Sequence, residues 1–383
     1  MKIKFTSQSA FFNVRILTAA LCCLGAVSVA LFGTGALTSV FAQAAPTACG
    51  WKHAPNTPSP GIRHCGVFFA DNIKFYAMGG RASDSVGSDF TNPFQYDPVT
   101  HTWTTKAATY PDNQVNNMAC GVLNDGANAI FCVGGNAAGA ATATARVFRY
   151  DPISDSITAL SSADNWPGDA SGTILPGGFA VVNNNLYILG GFNINVSSTN
   201  QIWEFNPNGA VGAKWTQKVN TPEGVMYAPT CAINGIIYLA GASDFDGVTV
   251  FDTTNSFSFN PTTNTIGAIA PIPRATGETR ALNFNGLMCV MGGGRVSPNP
   301  SNEVDIYDPG SNTWTTGTPV PSFFTPRRNF PTDTNGTTGI VLADGYAVDN
   351  VTPLSFTEQF HICAATGPGK QFSSHIASPA SNY

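Results

Sequence analysis

The stretch that decides the fold is residues 290–321, VMGGGRVSPNPSNEVDIYDPGSNTWTTGTPVP. An apolar run is stopped by glycines and followed by a polar loop. A segment of alternating apolar and polar residues then ends in Tyr307-Asp308-Pro309, before a tight turn and Trp314. Alternation with a period of two is typical of a half-buried strand. The stretch therefore predicts short strands connected by turns.

Looser copies of this stretch recur along the chain. Each has an apolar hairpin, a glycine pair or its remnant, an aromatic strand and, in most copies, Asp-Pro or Asn-Pro before a fourth strand. The spacing between copies is roughly 50–56 residues, as expected for one four-stranded propeller blade per repeat. We expect the glycines to end the second strand and to let neighbouring backbones approach. They stand at Gly79-Gly80, Gly134-Gly135, Gly190-Gly191, Ala240-Gly241, Gly292-Gly293 and Asp344-Gly345.

The order of Gly-Gly, Tyr-Asp-Pro and Trp resembles the kelch repeat, and the resemblance covers nearly the whole chain after residue 44. It implies an all-β fold, a six-bladed kelch-type β-propeller of the kind shared by galactose oxidase and kelch proteins. We expect this propeller to occupy residues 45–364.

The sixth copy lacks a tryptophan strand, and the missing strand stands near the other end of the chain. Gly50-Trp51-Lys52 parallels Thr313-Trp314-Thr315. We therefore expect the N-terminal strand to close the last blade.

The cysteines nearest this closure would lie on the two sides of a turn. Cys49 precedes Trp51 and Cys363 follows Phe360, at positions where Cα atoms are about 5–7 Å apart. We predict a Cys49–Cys363 disulfide in an exported protein, with two unpaired buried thiols as the alternative. Cys120 and Cys132 face each other across a hairpin, and the sequence leaves open whether they are bonded.

Residues 1–44 have the pattern of an export signal. Lys2, Lys4 and Arg15 precede an apolar run that ends in Ala42-Gln43-Ala44. We expect a signal peptide over 1–44, with an uncleaved anchor as the alternative. The protein would then be secreted or extracytoplasmic, with no membrane span after cleavage. Residues 365–383 are small and polar, and we expect a disordered tail.

Composition and histidine placement exclude several functions. A formal net charge of -5 and a pI of about 5.4 give no reason to expect nucleic-acid binding. The histidines are scattered and do not form the set that a galactose-oxidase-like copper site needs. We predict neither a metal nor another cofactor. The histidines are His53, His64, His101, His361 and His375.

The candidate binding residues are arginines on the loops of one face. Guanidinium groups are forked donors that suit carboxylates, and kelch relatives often hold acidic ligands with arginines at the channel mouth. The alternative is that these arginines pair with loop acids such as Asp84, Asp89, Glu278 and Asp305. The predicted ligand-binding residues are Arg63, Arg81, Arg280, Arg295 and Arg328.

Two functions from different classes remain open. The first is a secreted recognition module whose loop face binds an extracellular glycan or protein. The alternative is a sugar mutarotase or epimerase resembling N-acetylneuraminate epimerase, with an acid/base residue near an arginine. Glu278 with Arg280, or Glu223, are its candidate catalytic residues. An acidic residue that faces the channel beside an arginine would favour the enzyme.

Overall fold

The computed structural model describes residues 49–294 and 300–362. Six four-stranded antiparallel sheets make up this part of the chain, so the predicted six-bladed propeller is confirmed. Two short 3-10 helices, Ser162–Asp164 and Pro167–Asp169, join the second and third blades.

The strands follow one another in chain order. The N-terminal strand is β1 (Gly50–Ala54). Blade 1 contains β2 (Ile62–Phe69), β3 (Lys74–Arg81), β4 (Phe94–Asp97) and β5 (Thr102–Thr105). Blade 2 contains β6 (Ala119–Asn124), β7 (Asn128–Val133), β8 (Val147–Asp151) and β9 (Ser156–Ala159). Blade 3 contains β10 (Ile174–Val182), β11 (Asn185–Asn193), β12 (Ser197–Phe205) and β13 (Trp215–Gln217). Blade 4 contains β14 (Thr230–Ile233), β15 (Ile236–Phe245), β16 (Val250–Asn260) and β17 (Thr265–Ala268). Blade 5 contains β18 (Ala281–Phe284), β19 (Leu287–Gly293), β20 (Ser301–Asp308) and β21 (Thr313–Thr316). Blade 6 contains β22 (Thr332–Thr334), β23 (Gly339–Ala343) and β24 (Thr357–His361).

The last blade is closed by the N-terminal strand, as predicted. β1 pairs antiparallel with β24, and Trp51 stands opposite Phe360. The sheet order is β1-β24-β23-β22, so the outermost strand comes from the start of the propeller and the other three from its end.

Several predictions about the chain ends concern residues outside the described ranges. Cys363 lies there, so the disulfide with Cys49 stays a prediction. The signal peptide over 1–44 and the disordered tail over 365–383 also lie there and stay predictions. Within residues 49–294 and 300–362, no helix is long and apolar enough to cross a membrane.

The repeated tryptophan connects neighbouring blades. In four blades its indole N–H donates to a carbonyl in the segment that follows the fourth strand of the preceding blade. Because the indole nitrogen needs a partner when the ring is buried, the same side chain fills the core and connects its blade to the preceding one. The bonds run from Trp51 to Pro321 (2.7 Å), Trp103 to Pro55 (3.1 Å), Trp215 to Asp164 (2.7 Å) and Trp314 to Ala270 (2.8 Å).

The glycine pairs do not end the second strand in every blade, which corrects the expectation from sequence. β3 continues to Arg81 and β11 to Asn193, beyond their glycines. The glycines instead allow backbones to approach. Gly79 has φ 68°, and a Cβ there would lie 2.0 Å from the carbonyl oxygen of Val115. Only glycine fits this combination of positive φ and close packing.

The described cysteines other than Cys49 lie on inner and second strands. Cys120 and Cys132 stand opposite each other on β6 and β7, with Cα atoms 4.2 Å apart and their sulfurs at bonding distance. Cys65, Cys231 and Cys289 are buried free thiols that fill the core.

Candidate functional site

One residue from each blade contributes to a ring around the central channel. Each stands near the start of the inner strand of its blade. In blade 1, for example, Arg63 is the second residue of β2. All six line the same cavity, on the face where the inner strands begin. This channel-mouth ring consists of Arg63, Asn117, Pro176, Tyr227, Glu278 and Asn329.

Five members of the ring have a left-handed backbone. The φ angles are 62° for Arg63, 58° for Asn117, 48° for Tyr227, 53° for Glu278 and 51° for Asn329. This conformation costs an ordinary L-residue about 1–2 kcal/mol, and Asn tolerates it better than most. Strain of this kind persists where the surrounding structure imposes it.

Backbone hydrogen bonds between blades impose this conformation. Four ring residues donate their N–H to the carbonyl of the ring residue in the preceding blade. The bonds run from Glu278 to Tyr227 (3.0 Å), Asn329 to Glu278 (2.7 Å), Arg63 to Asn329 (2.9 Å) and Asn117 to Arg63 (3.1 Å). Pro176 has no N–H and a fixed negative φ, so it cannot take part in the same way. The ring therefore fixes five side chains at the channel mouth.

Glu278 is held by donors from blade 6. Arg328 donates to its Oε2, and the amide of Asn329 donates to the same oxygen at 2.5 Å. Arg328 also bonds the Oδ1 (2.8 Å) and the backbone carbonyl (2.9 Å) of Asn350. Arg328 and Glu278 are both buried, and their charges compensate each other.

Tyr346 connects two of the predicted arginines to a third. Its ring lies 4.2 Å from the guanidinium of Arg328 and 5.6 Å from that of Arg63, both cation–π contacts. Its hydroxyl donates to Asp84 at 2.5 Å, and Asp84 pairs with Arg81. The charge of Arg81 is therefore compensated by Asp84. Asp84 also accepts a bond from Tyr346, which connects Arg81 indirectly to the channel-mouth ring.

Arg63 and Arg280 differ from the other described candidates. The guanidinium of Arg280 lies 3.7 Å from the centre of the Phe179 ring, and its buried Nε has no hydrogen-bond partner within the described part of the protein. Arg63 bonds the neutral groups Tyr346 (3.4 Å) and Asn117 (3.4 Å). Neither guanidinium forms an ion pair with a carboxylate of residues 49–294 or 300–362. Both line the channel-mouth cavity, in which the lining carboxylate Glu278 is already paired with Arg328.

The comparisons with known proteins agree with this architecture. A family model described as the Kelch motif matches residues 279–321. Kelch-like protein 36 from Mus musculus is 22% identical over 279 residues, which are 71% of this chain and 42% of that protein. The Bos taurus protein of the same name is 23% identical over 274 residues, 69% of this chain and 41% of that protein.

The matched region thus spans about two fifths of the length of these relatives. A solved structure titled "Structure of YjhT" has a TM-score of 0.60 at 15% identity, covering 79% of this chain and 96% of that one. At this identity the likeness shows the fold alone. Together with the six closed blades, the kelch match identifies the type of fold. This chain is a kelch-type β-propeller.

The predicted site residues are only partly brought together by the kelch-type propeller. Arg63, Arg280, Arg328 and Glu278 meet at the channel mouth. Glu223 does not, because it lies on an exposed cleft against the outer strands of blade 4. Arg295 is outside the described residues. Arg81 and Arg328 pair with loop acids, as in the alternative considered from the sequence. The binding roles of all the arginines stay predictions.

Sequence reasoning missed the neutral members of the ring. Asn117, Tyr227 and Asn329 were not among the candidates, and neither was the Phe179 ring beneath Arg280. A signal for them existed, because they occupy the same blade position as Arg63 and Glu278. Only the tertiary structure shows that this position faces the channel.

Histidine and acidic clusters of the kind that hold metals are not found in the described ranges. His64 is buried beside Asp344, with 3.3 Å between Nε2 and Oδ2. His101 bonds the hydroxyl of Tyr96 at 3.0 Å. His53 packs on Phe324. These residues have structural contacts in separate places, and His375 lies outside the described part of the chain.

A second cavity of about 440 Å³ is lined by residues along the inner strands and contains the half-buried carboxyl group of Asp333. Arg280 and Phe179 line both cavities, whereas Asp333 lines only the second. The carboxylate of Asp333 accepts N–H bonds from Phe68 (2.7 Å) and Thr334 (2.8 Å). Burial raises the pKa of Asp333 to about 6, although these donors and Arg280 act in the opposite direction.

We expect Asp333→Asn to change how stability depends on pH. A carboxyl group whose pKa is higher in the folded protein contributes stability below about pH 4, and this contribution is lost as the pH rises through about 6. Wild-type stability relative to the variant should therefore fall by about 2 kcal/mol between pH 4 and pH 7. Denaturant unfolding of both proteins at the two pH values measures this. The exposed Asp71→Asn variant is the control, and an equal pH response of all three proteins would contradict the expectation.

Proposed function

We propose that this kelch-type propeller is a recognition module that binds a carboxylate-bearing partner at the channel mouth without catalysis. One observation carries the proposal: Arg63 and Arg280 line one cavity and lack a carboxylate partner in the described structure. Guanidinium groups bind carboxylates through paired, charge-assisted hydrogen bonds. Arg280 is also oriented by Phe179, which reduces the entropy lost when a ligand binds.

The carboxylate could belong to a protein or to an acidic glycan. Kelch-type propellers generally bind proteins, which supports an acidic peptide segment as the first choice. The export signal predicted over residues 1–44 supports a partner outside the cytoplasm. The net charge of the chain is negative, so attraction to an acidic partner must come from the local charge at the channel mouth.

Binding of a blocked tetra-glutamate peptide and of glucuronic acid tests the proposal, with tetra-glutamine and glucose as neutral counterparts. We expect the wild type to bind an acidic probe more tightly than its neutral counterpart. Arg63→Gln and Arg280→Gln should each weaken that binding about tenfold or more, because each removes a charge-assisted contact. Binding should also weaken as salt is added.

Arg149→Gln is the matched control, because Arg149 pairs with Asp125 away from the channel mouth. Circular dichroism and melting curves establish that each variant is folded. Equal affinity of wild type, Arg63→Gln and Arg280→Gln for the acidic probes would refute the proposal. The two probes distinguish a peptide partner from an acidic sugar.

The enzyme alternative is supported by one contact. Glu278 faces the channel-mouth cavity within hydrogen-bond reach of Arg328, the geometry that an acid/base residue beside an arginine requires. We place it second, because Glu278 already accepts bonds from both Arg328 and Asn329. NMR of the anomer interconversion of N-acetylneuraminate and glucuronate decides between the recognition module and the enzyme. If the wild type accelerates the interconversion, and Glu278→Gln loses this acceleration but still binds the sugar, catalysis is established.

A further inference from the structure

The left-handed residues of the channel-mouth ring are unusual in their side chains. Most described non-glycine residues with positive φ are Asn, Asp or His, which tolerate this conformation. The others are Arg63, Ile73, Tyr227, Ala242 and Glu278. Three of these five belong to the ring, so bulky side chains in strained backbone are concentrated at the channel mouth.

The fold itself does not demand these side chains. Asn117 and Asn329 occupy the same ring position in blades 2 and 6, and each donates its backbone N–H to the ring residue of the preceding blade. An Asn or Gly at position 227 would therefore serve the ring with less strain. The strained backbone of Tyr227 therefore points to a role for its side chain, since strain of this kind clusters at binding sites.

The side chains around Arg63 offer neutral hydrogen-bonding groups. The amide oxygen of Asn117 already accepts from Arg63. Tyr227 and Arg63 line the same cavity, and Asn329 donates to Glu278. Amide and phenol groups beside a guanidinium can bond the polar groups that flank a carboxylate in a ligand.

We propose that Asn117, Tyr227 and Asn329 are specificity-determining residues that recognise hydroxyl or amide groups next to the carboxylate held by Arg63. This inference rests on the proposed function and narrows its ligand class. Sugar acids and acidic peptides belong to that class, whereas simple aliphatic carboxylates do not. A site built to hydrogen-bond such groups rejects analogues that lack them, because its own polar groups are then left unpaired.

Binding of three probes tests the specificity: glucuronic acid, a blocked di-glutamate peptide and cyclohexanecarboxylate. The wild type should bind one of the first two at least tenfold more tightly than cyclohexanecarboxylate. Tyr227→Gly and Asn117→Gly should reduce this ratio toward one and leave cyclohexanecarboxylate binding nearly unchanged. Arg63→Gln should instead weaken all three probes.

Melting temperatures test the strain independently of any ligand. Tyr227→Ala and Tyr227→Gly both remove the ring of Tyr227, but only glycine relieves the left-handed backbone. We expect Tyr227→Gly to melt about 2 °C above Tyr227→Ala. Ile73 is the matched control, because it has φ 57° in the exposed turn between β2 and β3. Ile73→Gly should likewise melt above Ile73→Ala and leave the binding ratio unchanged.

Each outcome bears on a different claim. A wild type that binds none of the three probes overturns the proposed function and this inference with it. Binding of all three probes with equal affinity, or a ratio that Tyr227→Gly and Asn117→Gly leave intact, overturns the inference and preserves the proposed function. Tyr227→Gly melting no higher than Tyr227→Ala overturns the strain argument.

Discussion

Arg327→Met is expected to lower the free energy of unfolding by about 3–5 kcal/mol, since it leaves a buried charge without its partner. Arg327 and Glu358 form an ion pair at 2.6 Å with both side chains fully buried. Arg327 also donates to the carbonyls of Asp344 (2.9 Å), Phe356 (2.8 Å) and Thr325 (3.1 Å). The substitution therefore removes the counter-charge of Glu358 and leaves three carbonyl groups short of a donor. Chemical denaturation at pH 7 measures the loss.

Two further variants separate the charge effect from packing. The double variant Arg327→Met/Glu358→Gln should be less destabilised than the sum of its single changes, because no unpaired charge remains. Arg149→Met removes a partly exposed ion pair with Asp125 and should cost less than about 1 kcal/mol. If Arg327→Met were no more harmful than Arg149→Met, the buried pair would not stabilise blade 6.

Trp51→Ala is expected to destabilise the propeller by about 3–5 kcal/mol and to loosen blade 6 before the others. The Trp51 ring packs against Phe360 at 5.3 Å and Phe323 at 5.8 Å, and its indole bonds Pro321. Because Trp51 lies on β1, its loss weakens the strand that closes the ring. Hydrogen exchange of the β24 amides should accelerate along with the fall in melting temperature.

Trp314→Ala provides the comparison, because Trp314 has the same position in blade 5 and an equivalent bond to Ala270. Its strand β21 is continuous in sequence with the rest of its blade, so the exchange effect should centre on blade 5. Unchanged exchange in β24 of Trp51→Ala would show that β1 does not secure the closure.

Much of the blade architecture was predictable from sequence because its signals are local. Alternating aromatic residues, tight turns and a repeat of constant length specify strands and their order. The incomplete sixth copy, compared with residues 290–321, located the closing strand at Trp51. The behaviour of the glycines was harder to predict. A Cβ at Gly79 would meet the Val115 carbonyl of the next blade, and this close approach is visible only in the tertiary structure.

The candidate site was only partly predictable for the same reason. Arginine positions are visible in the sequence, but the pairing of Arg328 with Glu278 depends on contacts between residues 50 positions apart. Glu223 and Glu278 are both acidic residues near an inner-strand approach. The first faces the outer side of blade 4 and the second faces the channel.

The repeat thus specifies the number of blades, the strand order and the closing strand, since those follow from short-range patterns copied along the chain. The tertiary structure decides which side chains meet at the channel mouth and which arginines form no ion pair with a described carboxylate. These properties arise from contacts between blades. The left-handed ring exists only when five blades are assembled, because each backbone bond in it joins residues from two of them.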